Sequence, residues 1–122
     1  MTRGMRLAAA LIAAIGIAAG TGSAYASTFV AWQATGVASN DLLNVRAYPS
    51  SGSRIIVGYP SGTMFSMTGR CTGGVNLHDI SGLPSAQQRQ LVRFKWCELW
   101  FDPDGDGTFT NGWVYGRYIR PA

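Results

Sequence analysis

Two alternating runs joined by one acidic turn constrain this chain more than any other feature. The first run is Phe94-Lys95-Trp96-Cys97-Glu98-Leu99-Trp100-Phe101, and the second is Asn111-Gly112-Trp113-Val114-Tyr115-Gly116. Between them, Asp102-Pro103-Asp104-Gly105-Asp106-Gly107 supplies turn chemistry, and Thr108-Phe109-Thr110 leads into the second run. Strand side chains alternate between faces. Cys97, Leu99 and Phe101 therefore share a side, which becomes the core if Val114 joins them. Trp96, Glu98, Trp100, Phe109, Trp113 and Tyr115 fall on the other side. Two readings of that aromatic side stand. It is an interaction surface, as contiguous exposed apolar patches usually are. Or it is covered by the segment before the hairpin and by an N-terminal arm, whose Phe29, Trp32, Leu83 and Leu91 all call for burial.

Upstream, the chain reads as further strands. Leu42-Leu43-Asn44-Val45-Arg46 places Leu43 and Val45 on one face, and Ala47 to Ser53 is a loop rich in Ser, Pro and Gly. Arg54 to Tyr59 is the next strand, and Pro60-Ser61-Gly62-Thr63 a tight turn. Met64 to Thr68 is the third, with either Met64 or Phe65 pointing inward. Ser27 to Ala38 is a short first strand or an arm that docks through Phe29 and Trp32. Within 70–93, Ser85 reads as a helix cap, and the Ala, Gln and Arg that follow favour one or two helical turns.

The chain of 122 residues opens with a basic run around Arg3 and Arg6, an apolar stretch from Leu7 to Ala19, and Ala24-Tyr25-Ala26. This is the pattern of a secretory signal peptide over 1–26 cleaved after Ala26. The rival is an uncleaved anchor, for which the apolar stretch is short, since a bilayer span needs about 20 residues. Cleavage would remove two arginines and lower the formal charge from +4 to +2. That charge is too weak to argue for nucleic-acid binding, and after cleavage no membrane span is expected. Two cysteines in an exported chain read as one disulfide, Cys71–Cys97. It closes a loop of about 25 residues, worth on the order of 3 kcal/mol by chain entropy.

Three segments resemble the bacterial SH3 (SH3b) family. Leu43-Asn44-Val45-Arg46-Ala47-Tyr48-Pro49-Ser50 resembles its opening strand and first loop, with Leu-Asn-Val-Arg unaltered. Pro60-Ser61-Gly62-Thr63 is similar to its Pro-x-Gly-Thr turn. Gly112-Trp113-Val114 followed by Tyr118-Ile119 resembles its closing strand. The resemblance implies an all-β chain, a small SH3-like barrel of about five strands. It assigns 27–38 to an N-terminal arm and 39–122 to the domain, and the segment 70–93 departs from the family as an insertion. The implied function is non-enzymatic, exported (periplasmic or secreted) binding of peptidoglycan or an envelope peptide or protein. The alternatives are a structural or assembly subunit docked on a partner, or an accessory or inhibitor protein. Ligand contacts fall to Tyr48, Trp100, Trp113, Tyr115 and Tyr118, because aromatic faces with polar tips bury area while keeping a hydrogen-bonding handle. Arg46, with Arg54 and Arg117, is suited to a stem-peptide carboxylate.

Other chemistry is thinly represented. His78 is the only histidine, and no Gly-x-Ser-x-Gly motif is present, so no catalytic residue is assigned. Asp102, Asp104 and Asp106 with Gly107 match the start of a calcium-binding EF-hand loop, but the twelfth position is Trp113 where a bidentate Glu belongs. Flanking strands also replace the expected helices. No cofactor is expected.

Overall fold

The computed structural model describes residues 29–122, so the leader read over 1–26 lies outside the described residues. Among the described residues there are seven strands: β1 Val30–Ala34, β2 Leu43–Arg46, β3 Ile55–Tyr59, β4 Met64–Cys71, β5 Trp96–Phe101, β6 Thr110–Tyr115 and β7 Ile119–Pro121. They make one antiparallel sheet in the order β3-β2-β6-β5-β4-β1-β7. The all-β reading holds, but the expected closed barrel of about five strands is replaced by an open sheet of seven. The two extra strands are the N-terminal segment β1 and the three-residue β7. They pair with each other through Gln33–Arg120 and Ala34–Ile119, and β3 and β7 remain as edges.

One face of the sheet wraps a single core. Trp32, Val45, Met67, Leu99, Val114 and Ile119 are fully buried there, each stabilising by roughly 1.5–3 kcal/mol through removal of its side chain from water. The alternation read in β5 is obeyed, since Cys97, Leu99 and Phe101 are buried and Trp96, Glu98 and Trp100 are half-buried on the opposite face. In β4 the open choice falls to Phe65, buried, while Met64 is 58% exposed. Trp32 of the N-terminal segment enters the core, whereas Phe29 and Leu91 stay exposed.

A bulge sets the register at the disulfide. Met67 faces Leu99 and Cys71 faces Cys97, so Thr68, Gly69 and Arg70 on β4 oppose Glu98 alone on β5. Gly69 sits at φ 101°, and its Cα is so close to the His78 ring that a methyl group would overlap it. The bulge brings Cys71 directly across from Cys97, and the two are joined as a disulfide.

The 70–93 segment packs as two short pieces. A 3₁₀ turn at Thr72–Gly74 precedes Leu77, which is fully buried, and α1 spans Ser85–Val92. Ser85 is not the cap expected. Pro84 occupies that position, and no side chain caps the helix. The buried Gln88 amide instead donates to Leu83 O at 2.8 Å and Ser81 O at 3.3 Å, tying the approach loop to the helix. Val92 anchors the helix end in the core, and Gly116, in a 3₁₀ turn over Gly116–Tyr118, lies directly on the Val92 carbonyl.

Candidate ligand groove

An open groove of 780 Å³ lies between the 36–42 loop with β2 and the start of the β5–β6 hairpin. Its aromatic wall comes from cross-strand pairing. Trp96 faces Tyr115 in the ladder, with ring centroids 5.1 Å apart, and Tyr118 follows at 6.5 Å from Tyr115. All three rings are half-buried, so each is held by packing and keeps a free surface. Phe94 extends this wall and is 71% exposed.

The opposite wall is polar. Asn44 and Arg46 alternate with the core residues Leu43 and Val45 and so project outward from β2. The Arg46 guanidinium donates from Nη1 to Ser53 O at 2.8 Å, which fastens the 47–54 loop, and Ser51 of that loop reaches the groove. Asp41 accepts the Leu42 N–H at 2.8 Å in the turn that enters β2. The walls are tied together where Thr35 N donates to Tyr118 O at 2.8 Å.

Of the residues assigned from sequence, the groove brings together Arg46, Tyr115 and Tyr118. Tyr48 projects from the 47–54 loop at 71% exposure and does not line the groove. Trp100 lies toward the turn end of the hairpin, facing Ser66 and Asn111. Trp113 is only 8% exposed; it lies between Arg46 of β2 and Glu98 of β5 in the ladder, and the Arg70 guanidinium stands 5.3 Å from its ring. Trp96, Phe94, Asn44 and Asp41 also line the groove and are not among the ligand contacts assigned from sequence. Trp96 carried the clearest signal, since it stands on the outer face of the hairpin and only the register was needed to set it beside Tyr115.

The acidic turn uses its carboxylates locally. Asp102 accepts backbone N–H bonds from Gly107 at 2.7 Å, Gly105 at 2.9 Å and Asp106 at 3.2 Å, and these hold its carboxyl below the usual carboxylate range. Asp106 accepts the Thr108 N–H at 2.9 Å. No group of three His, Cys, Asp or Glu side chains is placed to hold a metal among the described residues. His78 is held in its own turn, where its backbone N–H and its Nδ1 reach Asn76 Oδ1 at 2.8 and 3.2 Å. Among the described residues no helix is long and apolar enough to cross a membrane. The disulfide is a feature of proteins folded in an oxidising compartment.

No protein-family model matches this chain, and neither curated proteins nor solved structures match it.

Proposed function

We propose that this chain is a non-enzymatic, exported binding module, SH3b-like in its framework, whose ligand is an extended peptide of the bacterial envelope. The peptide chains of peptidoglycan are the class the groove suits best. The observation that carries this reading is the Trp96–Tyr115–Tyr118 shelf facing Asn44 and Arg46 across 780 Å³ of open space. Ligand sites span about 300–1,000 Å³ and combine apolar area with a few polar groups. The shelf supplies area, the phenol and indole groups supply hydrogen bonds, and the Asn44 amide can read a peptide bond from the other wall.

A second reading is an assembly or accessory subunit that docks permanently on a partner protein. It draws on Leu42 and Phe94, which line the same groove and leave large apolar areas exposed.

Co-sedimentation of the oxidised protein with purified sacculi decides between them. Wild type is expected in the pellet, with Trp96→Ala weakened about tenfold, as for a central aromatic contact. Trp96 is the better probe than Trp113, whose truncation would also unseat Arg70. A folded wild type that stays in the supernatant while retaining a stoichiometric protein partner would replace the first reading with the second.

A further inference from the structure

Beside the groove lies a smaller pocket of 240 Å³, lined by Ala86, Arg89, Gln90, Arg93, Gly116 and Arg117. Three arginines line it, and guanidinium stays charged at any physiological pH. None of the chain's six acids lines it. Asp41 lies in the groove and Asp79 in the turn before α1. Glu98 accepts from Thr68 Oγ1, and Asp102, Asp104 and Asp106 sit in the hairpin turn. Arg89 on α1 and Arg93 at its C-cap are four apart, a like-charge spacing that weakens a helix end. Such an arrangement is favourable when an anion sits among the charges.

The pocket is built into the groove wall. Arg93 stands 5.6 Å over the Phe94 ring and Arg117 stands 6.0 Å over the Tyr118 ring, and both rings line the groove. The two faces of the pocket are fixed relative to each other, because Gly116 rests on the Val92 carbonyl at the end of α1 and its N–H donates to Lys95 O at 2.7 Å.

We propose that this pocket takes a free carboxylate of the peptide that lies in the groove, so that the ligand is an acidic peptide anchored by one charged group. The inference rests on the groove reading above and extends it. The volume suits a single small group, and the guanidinium fork matches a planar carboxylate. A polymer charged along its length fits less well. Past the arginines the groove offers the Asp41 carboxylate and uncharged rings, and its one cation, Arg46, is already engaged with Ser53 O.

The test uses soluble muropeptides released from sacculi by a muramidase, before and after their carboxyls are converted to amides. They are titrated into ¹⁵N-labelled oxidised protein. Native muropeptides are expected to shift the amide signals of Tyr115 and Tyr118 in the groove together with those of Gln90 and Arg117 at the pocket. Amidation, or the double substitution Arg89→Gln/Arg117→Gln at two exposed positions, is expected to weaken binding about tenfold, the usual scale for losing a charge-assisted contact. If groove signals shift while affinity ignores both changes, the carboxylate pocket is wrong and the groove reading stands. If a folded protein shows no shift at all, both fall. A poly(glycerol phosphate) chain that binds more tightly than the muropeptides and depends on the same arginines would reassign the pocket to phosphate.

Discussion

Trp96 and Trp113 occupy the same face of one hairpin, yet one keeps a free face and the other is buried. Arg70 lies over Trp113, which also sits between Arg46 and Glu98 in mid-sheet, while Trp96 keeps a face in the groove. Residue type and alternation placed both on the outer face, and no local signal in the sequence tells them apart, because the covering Arg70 arrives through a bulge on a different strand. Asp102 is more legible. Its place at the head of a Pro-Asp-Gly turn announces a carboxylate that binds backbone, and three N–H groups meet it. Its lowered pKa makes a signed prediction. A depressed carboxyl adds stability above its unfolded pKa, near 4, and that stability drains as the pH falls toward the folded value. Melting temperatures of wild type and Asp102→Asn should therefore differ most at neutral pH and converge in acid, as the pH falls through the lowered folded value. A gap that stays constant from pH 7 to pH 2 would show that the charge of Asp102 does not matter.

At the scale of elements, the β5–β6 hairpin was readable because a period of two leaves little freedom about which side is inside. The β1–β7 pair was not. Pairing between segments almost ninety residues apart has no local signature, and three residues of β7 are too few to show a period. The same limit explains the site. Choosing aromatics by type found Tyr115 and Tyr118 but also Trp100, which sits at the far end of the hairpin, and only the register separates the two ends. The junction of α1 with the sheet is the most sterically demanding element contact. A methyl group at Gly116 would overlap the Val92 carbonyl, which is backbone and cannot rotate away. Gly116→Ala is expected to cost about 3 kcal/mol or more, read as a lower urea midpoint, since overpacking usually costs 1–3 kcal/mol where side chains can adjust. A midpoint within error of wild type would mean that α1 shifts freely on the sheet.

Across the whole molecule, the Cys71–Cys97 bond ties off the segment that holds the 3₁₀ turn and α1, across a sequence separation of 26. Chain entropy values that closure at about 3.5 kcal/mol, so the Cys71→Ser/Cys97→Ser protein should unfold at a clearly lower urea concentration than the oxidised wild type. Coincident curves would place the stability of the fold elsewhere. The composition told only that the net charge is small. The fold distributes that charge unevenly along the β5–β6 hairpin: three aspartates in the turn at one end, and Arg93, Lys95 and Arg117 at the other, about 17–20 Å away by strand rise. A body with little monopole and a long axial dipole is barely drawn toward a charged layer from afar, but within a Debye length of about 10 Å it experiences a torque. Close to any negatively charged surface that torque would turn the arginine end and its aromatic shelf inward and leave the aspartate turn trailing. Added salt would then act on how such an approach is oriented more than on how often it occurs.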